Sequence, residues 1–564
     1  MRTADPGIPA ATDMSASVVN IAAHLPAMAR RQPDAAAVIA PHGAPGSPRR
    51  THRSTTFQQL EARSNAIAAG LSRHGVARGM RTVLMAKPSA DFFALTFGLF
   101  KIGAVPVLVD PGMGIRNLGE CLAQAEPEAF IGITKAHVAR HLFGWAKRTL
   151  RLFVNVGPKL PGCGESLDRL AASCGEFEPA ATRADETASI LFTSGSTGVP
   201  KGAVYTHGVF AAQVEMLRAM YGIEPGEIDL PTFPLFALFA PALGMTSVVP
   251  QMDFSRPGSV DPREILQCLR DFGCTTMFGS PAVIDKVGRY GALRGEKLPK
   301  LKRVLSAGAP VPAATLERFA AMLAPGVEVF TPYGATESLP VASIGSAEVL
   351  GETRARTERG EGVWVGKPAP GVDARIMKIR DDAIAAWSED LLAGPGELGE
   401  IVVGSPTVTR EYFGRPEQTA LAKIRDAATG EILHRMGDLG WIDEKGRIWY
   451  CGRKSQRVTT AEGVLFTDRI ENVFNVHPET ARTALVGVRR GERAVPVLCV
   501  ELDAAARGAD RERVKRELLE LGAKNAEAGG IREVLFHPKF PVDVRHNAKI
   551  FREKLAVWAA EKLR

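Results

Sequence analysis

The stretch of this chain best equipped for chemistry is a loop of small polar residues that follows a short apolar run at residues 190–192. Its glycines let backbone N–H groups turn inward with no Cβ in the way, and successive inward N–H groups form a concave anion site. Hydroxyl groups add donors, and a final lysine adds a mobile positive charge. The pattern predicts a cradle for a polyphosphate, made by Thr193, Ser194, Gly195, Ser196, Thr197, Gly198 and Lys201.

This loop differs from the phosphate loop of ordinary nucleoside triphosphatases. That motif places a Ser or Thr after its lysine, whereas Gly202 follows Lys201 and Pro200 precedes it. A flexible surface linker is the bland alternative. Because linkers seldom follow a buried strand or end in Pro-Lys-Gly, we favour the phosphate cradle.

A second polar string, residues 333–337 (Tyr-Gly-Ala-Thr-Glu), follows a predicted strand that ends at Phe330. Ligands of open α/β sheets bind at the carboxyl ends of the strands. A carboxylate there can hold Mg²⁺ against phosphate oxygens, because Mg²⁺ takes one or two carboxylates besides the nucleotide. Glu337 is therefore the magnesium candidate, although a plain turn would explain this string if it stood alone.

Three weaker strings accompany these two motifs. Residues 306–310 (Ser-Ala-Gly-Ala-Pro) form a strand-to-glycine turn, residues 437–440 (Gly-Asp-Leu-Gly) carry an aspartate, and residues 547–552 (Asn-Ala-Lys-Ile-Phe-Arg) carry Lys549. Taken singly, they are explained by a small-residue turn, an aspartate in a type I turn and a solvated lysine. Arg453 alone would likewise be a solvated arginine.

The five strings, taken in chain order over residues 189–552, resemble the signature motifs of the adenylate-forming superfamily. That superfamily includes acyl-CoA synthetases, luciferases, fatty acyl-AMP ligases and peptide-synthetase adenylation domains. Its members activate a carboxylate with ATP and give an acyl-adenylate and pyrophosphate. Weaker likenesses at residues 101–106 and 396–401 extend the match to nearly the whole chain. The resemblance implies ATP and Mg²⁺ as cofactors.

The resemblance also implies contacts to the nucleoside. The small-residue turn would form one wall of the adenine slot, and a tyrosine ring would lie beside the base. An aspartate would accept hydrogen bonds from both ribose hydroxyls, and an arginine would also reach the ribose. In chain order these candidates are Gly308, Ala309, Pro310, Tyr333, Gly334, Asp438 and Arg453.

By the same resemblance, three residues take part in the reaction. Thr336 would contact phosphate, and Glu337 would hold the metal. Lys549 would swing in with a small C-terminal domain and bridge the substrate carboxylate and the α-phosphate. It would neutralise charge as the pentavalent centre forms, and such stabilisation is usually the largest catalytic contribution.

The chain departs from the superfamily pattern at three positions. Members that form thioesters often carry a histidine where this chain has Ala237, the usual hinge residue is replaced by Gln456, and the glycine before the C-terminal lysine is Ala548. These changes put domain rotation and thiol attack in doubt. Together with residues 232–239 and 542–549, they resemble the β-lactone synthetases of bacterial long-chain olefin biosynthesis.

Enzymes of that kind adenylate a long-chain 2-alkyl-3-hydroxy fatty acid. The substrate's own hydroxyl then attacks the activated carbonyl, expels AMP and closes a four-membered ring. An internal nucleophile suits this step, because effective molarities of well-oriented groups reach roughly 10⁵–10⁸ M. The sequence suggests no base for the hydroxyl; His207 is near the phosphate loop, but a positioning role is the better interpretation.

The region at residues 233–245 is unusually apolar. Such residues would suit a tunnel for a long acyl chain, and ordinary core is an equal explanation. The apolar side chains are Phe233, Leu235, Phe236, Leu238, Phe239, Leu243 and Met245.

Two other functions stay open. One is a long-chain fatty acyl-CoA or acyl-AMP ligase. The other is a non-catalytic acyl-nucleotide-binding scaffold, against which the intact Glu337, Asp438 and Lys549 argue. The resemblance to the lactone synthetases also implies an assembly with an α/β-hydrolase and a reductase of the same pathway.

Composition favours a small polyanionic ligand. The net charge is +8 with scattered Lys and Arg, so we expect no nucleic-acid partner. The seven cysteines are odd in number and lack a Cys-x-x-Cys pair, which speaks against a disulfide framework and favours a reducing cytoplasm. No apolar run reaches ~18 residues, so we expect no membrane span.

Alternating strands and helices must position these motifs. Thr56 and Gln59 predict a capping box at a helix start, and Ser89 predicts the start of a helix that runs to Ile102. Such spacing is typical of an α/β fold with a parallel sheet and crossover helices. Residues 1–17 are predicted to be a loose tail, and residues 41–54 and 351–362 are predicted to be loops.

The length of 564 residues exceeds what one core supports. We expect a large N-terminal domain of doubly wound sheets plus small barrel-like strands over residues 1–452. A hinge at 453–456 would follow. A small mobile α+β domain over 457–564 would carry Lys549.

Overall fold

The computed structural model describes residues 18–42, 51–158, 161–172, 175–193, 200–233, 239–490, 493–543 and 549–563. The predicted tail 1–17, the loop residues Ser194 to Gly198, and the departures at Ala237 and Ala548 lie outside these ranges.

Strands account for much of the described chain. The first thirteen are β1 (Ala36–His42), β2 (Thr51–Thr56), β3 (Arg81–Met85), β4 (Val105–Leu108), β5 (Ala129–Ile133), β6 (Leu152–Val156), β7 (Glu165–Ser166), β8 (Thr187–Thr193), β9 (Lys201–Thr206), β10 (Ile228–Pro231), β11 (Thr246–Val248), β12 (Thr276–Gly279) and β13 (Arg303–Ser306). The others are β14 (Val329–Ala335), β15 (Ser338–Gly345), β16 (Val363–Pro368), β17 (Asp373–Met377), β18 (Gly399–Gly404), β19 (Lys423–Arg425), β20 (Ile432–Ile442), β21 (Ile448–Arg453), β22 (Val458–Thr459), β23 (Val464–Leu465), β24 (Thr480–Arg490), β25 (Arg493–Leu502) and β26 (Glu533–Phe536).

Helices connect and cover these strands. They are α1 (His24–Arg31), α2 (Phe57–Arg73), α3 (Ala90–Ile102), α4 (Ile115–Ala125), α5 (Thr134–Phe143), α6 (Leu167–Leu170), α7 (His207–Tyr221), α8 (Phe239–Leu243), α9 (Pro262–Asp271), α10 (Pro281–Arg294), α11 (Ala313–Ala320), α12 (Ser346–Glu348), α13 (Arg354–Glu358), α14 (Pro416–Ala422), α15 (Thr467–Phe474), α16 (Arg511–Ala523) and α17 (Arg552–Lys562). Single 3-10 turns lie at Ile21–Ala23, Pro111–Met113, Pro257–Ser259, Glu389–Leu391, Lys454–Gln456 and Ala504–Ala506.

The first sheet has the strand order β7-β6-β5-β3-β4-β8-β9. Its pairs are parallel except β8 with β9. Neighbouring residues on a strand point to opposite faces, and both faces are buried: Leu84 packs into one core and Val83 into another. Helices thus cover the sheet on both sides, as a doubly wound sheet requires.

The second sheet joins two kinds of strand. From β1 through β11, β10, β12 and β13 to β14 the pairs are parallel. Beyond β14 the antiparallel strands β15, β16, β21, β20, β18 and β17 continue the same sheet, and β19 pairs with β20. The short strands predicted after residue 363 therefore extend this sheet.

The helix starts follow the predicted capping. The Thr56 hydroxyl accepts from the Gln59 N–H, and the Gln59 side chain accepts from the Thr56 N–H. Ser89 caps α3, which ends at Gly103 with φ +75°. A left-handed residue at this position favours glycine, because a Cβ would be strained there.

A small C-terminal domain follows the second sheet. Its sheet has the order β24-β25-β26. One face packs on α15 and α16 through Leu485 and Leu498, and the other packs on α17 through Val486 and Val497. The structure thus confirms an α/β fold with a large N-terminal and a small C-terminal domain.

Two loop predictions were wrong. Residues 51–54 belong to β2, which pairs with β1. Residues 351–362 are mostly helical, with a π-helical turn at Val349–Thr353 followed by α13. Their charges mislead because α13 is stabilised by an exposed i,i+4 pair, Arg354 with Glu358. Charged residues therefore mark a solvated helix here instead of a loop.

In the described part of the chain, no helix is both long and apolar enough to cross a membrane. The six described cysteines are free and buried.

Candidate active site

A cleft with a volume of about 4370 Å³ lies where the carboxyl ends of the second sheet face the first sheet and the C-terminal domain. It brings the described candidate residues together. They are Thr193, Lys201, Gly308, Ala309, Pro310, Tyr333, Gly334, Thr336, Glu337, Asp438, Arg453 and Lys549.

The predicted phosphate loop joins two antiparallel strands. Thr193 at the end of β8 lies directly opposite Lys201 at the start of β9. The predicted strand at residues 190–192 falls inside β8. Lys201 also lies with its Nζ 5.1 Å from the centroid of the Tyr412 ring. The loop residues 194–199 lie outside the described ranges, so only the two ends of the cradle are described.

Two glycines allow close approach at the other wall of the cleft. Gly308 has φ +99°, which is a conformation that residues with a Cβ rarely adopt. At Gly334 an added Cβ would lie 2.9 Å from the Leu339 Cβ and 2.9 Å from the Ser338 carbonyl oxygen. Both positions therefore need glycine, and both line the cleft.

Glu337 is held by groups that the sequence did not reveal. The Tyr412 hydroxyl donates a 2.6 Å hydrogen bond to Glu337 Oε1, and the Thr409 N–H donates to the Glu337 carbonyl oxygen over 2.9 Å. Burial, together with the Glu337 charge, raises the pKa of Tyr412 above its usual range. The phenol therefore remains a donor, and it orients the carboxylate.

A buried lysine lies behind this carboxylate. Lys423 is 7% exposed, and its Nζ donates to the Thr409 hydroxyl over 3.3 Å. Burial lowers the pKa of Lys423 to about 7, and the Glu337 charge opposes this shift. Neither Lys423 nor Tyr412 belongs to a recognisable string, so no sequence signal would have found them.

Asp438 on β20 contacts one residue on the neighbouring strand β21 and one on the distant strand β14. It faces Arg453 across β20 and β21, with Arg453 Nη1 3.1 Å from Asp438 Oδ1. The Tyr333 hydroxyl donates to Asp438 Oδ2 over 2.7 Å. Within the described ranges, Oδ1 receives no hydrogen bond. This buried oxygen is therefore able to accept a hydrogen bond from a hydroxyl group of a ligand.

Asp438 and Arg453 each shift the pKa of the other. Burial raises the pKa of Asp438, and Arg453 opposes that shift. Asp438 in turn raises the pKa of Arg453 above its usual range. The arginine therefore stays charged, and its charge favours the ionised form of the aspartate.

Lys549 reaches the cleft from the C-terminal domain. Its N–H donates to Asp543 Oδ1 over 2.9 Å, and the Asp543 N–H donates to the Lys549 carbonyl oxygen over 3.0 Å. Val542 and Ile550 bridge beside them. This pairing fixes the backbone that presents the lysine.

The hinge string contacts the same end of the chain. The Arg552 Nη1 donates to Gln456 Oε1 over 3.0 Å. Arg552 also forms two charge-assisted hydrogen bonds with Glu471, the shorter being 2.6 Å. Gln456 is thus tied to the segment that carries Lys549.

The deeper part of the cleft is apolar. Phe210, Leu217 and Tyr221 lie along one face of α7 and line it. From the apolar region singled out in the sequence, Phe233, Phe239, Leu243 and Met245 line it as well, while residues 234–238 lie outside the described ranges.

His207 does not face this chemistry. It is fully buried, and its Nδ1 accepts a hydrogen bond from the Ile21 N–H over 3.2 Å. Burial lowers the pKa of His207 to about 4. This geometry favours the positioning role, because the neutral ring holds the N-terminal segment against α7.

Comparison with known proteins agrees with these motifs. The family model described as AMP-binding enzyme matches residues 25–413. An olefin β-lactone synthetase of Stenotrophomonas maltophilia is 49% identical over 96% of this chain and 98% of its own length. An olefin β-lactone synthetase of Xanthomonas campestris is 47% identical over 97% and 98%.

A solved structure shares the fold. ATP-bound MatB from Rhodopseudomonas palustris has a TM-score of 0.77 and 21% identity over 97% of this chain and 99% of that one. The family match covers most of the chain, and the two relatives span nearly all of it. The chain therefore belongs to the AMP-binding, adenylate-forming enzymes.

Proposed function

We propose that the protein is an ATP-dependent β-lactone synthetase of olefin biosynthesis, acting on a long-chain 2-alkyl-3-hydroxy fatty acid. The observation that carries the proposal is the near-full-length likeness to two olefin β-lactone synthetases. Those motif residues that the structure describes line one cleft, which supports the proposal further.

ATP fits the cleft by its chemistry. The buried Asp438 Oδ1 has an ion-pair contact with Arg453 but no hydrogen bond from described residues, and a ribose hydroxyl is a donor that would satisfy it. Gly308 and Tyr333 would lie beside the adenine base. Thr193, Lys201 and Thr336 would hold the phosphates, with the loop residues Ser194 to Gly198 between them.

Glu337 would hold Mg²⁺, with its carboxylate already oriented by Tyr412. Mg²⁺ would neutralise charge on the phosphate oxygens when it is bound. Among the described residues, no second carboxylate makes a hydrogen bond with Glu337. One protein carboxylate is enough, because Mg²⁺ commonly keeps water and nucleotide oxygens as its other ligands.

The first half-reaction joins the substrate carboxylate to the α-phosphate. The carboxylate oxygen forms the new P–O bond, and the bond to pyrophosphate breaks. Lys549 would lie between the two reacting groups and offset their negative charge as they approach. The gain comes from placing a fixed charge where negative charge develops.

The second half-reaction is internal. The 3-hydroxyl oxygen attacks the activated carbonyl, gives up its proton, and AMP leaves with the bonding electrons. Because nucleophile and carbonyl belong to one molecule, no second substrate has to bind. The departures from the superfamily pattern at Ala237, Gln456 and Ala548 suit an enzyme that does not use domain rotation and attack by a thiol.

The domain boundaries belong to the same proposal. We place the large domain at residues 1–452, the hinge at 453–456 and the lid at 457–564. The contact between Gln456 and Arg552 supports this assignment, because it links the hinge to the segment that presents Lys549. We also propose a cytoplasmic location and an assembly with a pathway α/β-hydrolase and reductase.

A CoA-free product assay tests the function. The protein is given a 2-alkyl-3-hydroxy acid, ATP and Mg²⁺, and the products are separated by mass. AMP, pyrophosphate and a β-lactone in equal amounts are expected. Strict dependence on CoA, or accumulation of acyl-AMP without lactone, would favour the acyl-CoA or acyl-AMP ligase instead.

A further inference from the structure

A row of four polar side chains crosses the second sheet beside the cleft, and two of them, Asp229 and Thr276, line it. Asp229 on β10 lies opposite Ser247 on β11 and Thr276 on β12. The next residue in the row is Arg303 on β13. All four are at least nine-tenths buried. Polar residues in register on a buried face need hydrogen-bond partners.

Part of this row is satisfied within the protein. Arg303 forms a two-point ion pair with Glu227, with Nη2 3.1 Å from Oε1. Arg303 Nη1 also donates to the Thr276 hydroxyl over 2.9 Å. The charge of the arginine is therefore already matched by Glu227.

The other part has no partner. Asp229 is 7% exposed and lines the cleft. It makes no hydrogen bond or ion pair with any described residue. The buried Ser247 hydroxyl beside it also lacks one in the described ranges. Burial raises the pKa of Asp229 to about 7; the Arg303 charge opposes this shift, and the Glu227 charge adds to it.

The surroundings of this pair are apolar. Met245 and Val249 lie just before and just after β11, two residues to either side of Ser247, and they line the cleft together with Leu243 and Ile223. Toward the strand ends the next layer on this face is Phe278 beside Leu305. Asp229 thus ends an apolar passage.

The depth of that passage follows from the strand geometry. Thr276 begins β12, three residues before the carboxyl end of that strand at Gly279. At about 3.3 Å per residue, the polar row lies about 10 Å below the carboxyl ends of the strands, which form the mouth of the passage. A group at the 3-position of a substrate stays near the mouth, so only the alkyl chain reaches this depth.

We propose that Asp229, with the fully buried Ser247 beside it, forms a polar floor that ends the acyl-binding part of the cleft and sets the longest alkyl chain it accepts. This proposal rests on the proposed function, because it takes the cleft to bind a fatty acid. Each methylene buried above the floor improves binding about fourfold. A methylene pressed against an unpaired carboxyl gains nothing, because it strips solvation that no protein group replaces.

The test is a chain-length series measured as binding. Straight saturated acids that differ by one methylene displace a fluorescent fatty acid from the whole protein, without nucleotide. For the wild type, affinity should rise about fourfold per methylene and then level off. For Asp229→Leu, which has the same number of side-chain atoms, the rise should continue past that limit, giving a gain of about fourfold for the first longer acid and about 16-fold for the second.

The matched control is Asp229→Asn, which keeps a polar group of equal size. It should level off at the same chain length as the wild type. An unchanged limit in Asp229→Leu would overturn the proposal, and so would an equal shift in Asp229→Asn. If Asp229→Leu does not fold, Asp229→Ala takes its place; it also removes the carboxyl and should extend the limit, and no extension there would also overturn the proposal.

The same experiment keeps the two proposals apart. It uses no ATP, so a chain-length limit that depends on Asp229 would stand even if the CoA-free assay gave no lactone. If acids of every length fail to displace the fluorescent fatty acid, the acyl cleft itself is refuted.

Discussion

The Tyr412 hydroxyl lies 2.6 Å from Glu337 Oε1 and donates a hydrogen bond to it. The two residues are far apart in sequence, and the bond fixes the carboxylate that we propose for Mg²⁺. The next described neighbour, Thr409, holds the Glu337 backbone. The metal candidate therefore has a defined direction before any ligand binds.

Tyr412→Phe should weaken the response to Mg²⁺. Loss of a partner that orients a metal-binding carboxylate costs on the order of tenfold in metal affinity. We expect the half-saturating Mg²⁺ concentration for pyrophosphate release to rise by about that factor, with a smaller change in the KM for the acid. Tyr290→Phe, on α10, is the control; an equal effect there would contradict the assignment.

Asp438→Asn should impair nucleotide binding. The change removes the charge that faces Arg453 at 3.1 Å, and a hydrogen bond to a charged group contributes about 1.5–3 kcal/mol. The KM for ATP should rise by about 10- to 100-fold. Asp382→Asn, at an exposed pair with Arg380, should leave it unchanged. A rise confined to the KM for the acid would refute the ribose role.

Lys549→Ala should reduce the rate of adenylation. Removing a group that stabilises developing charge costs on the order of 10²–10³ in rate. Single-turnover release of pyrophosphate measures the loss. Lys554→Ala, on an exposed side chain five residues on, should keep the wild-type rate. Unchanged release of pyrophosphate by Lys549→Ala would refute the role proposed for this lysine, and no release by the wild type would favour the scaffold alternative.

Asp229 should make stability depend on pH. Its pKa is raised from 3.8 to about 7 by burial, so the folded protein binds a proton over this range that the unfolded chain releases. The stability that this bound proton contributes to the folded state is fully present below about pH 4 and is lost as the pH rises through about 7. Asp229→Asn lacks it.

Thermal unfolding at several pH values checks this. The Tm of the wild type, relative to that of Asp229→Asn, should fall as the pH rises from about 4 to 7. The difference between the two proteins cancels the other titrating groups. A constant difference would mean that Asp229 is already charged in the folded state.

Local signals in the sequence predicted the framework well. The hydroxyl of Thr56 and the side chain of Gln59 cap α2 as expected, and apolar runs such as residues 190–192 fall inside strands. These features depend on neighbours within a few residues, so the sequence carries them directly. The charged stretch at 351–362 misled because solvation allows either a loop or a helix.

The linear motifs also placed most of the cleft. Glu337, Asp438 and Lys549 came from strings that the fold brings together. Tyr412, Lys423 and Asp229 could not be found in this way. Their environments depend on register across strands and on contacts between distant segments, and a single tyrosine, lysine or aspartate in a strand carries no mark of its partner.

The cleft draws its two ends from separate layers of the molecule. Thr193 and Lys201 belong to the first sheet, while Tyr333, Asp438 and Arg453 belong to the second, and a shared hydrophobic core lies between the sheets. A nucleotide bound at both ends would link the two sheets of the large domain. Binding only the folded state, it would slow amide exchange in both sheets together.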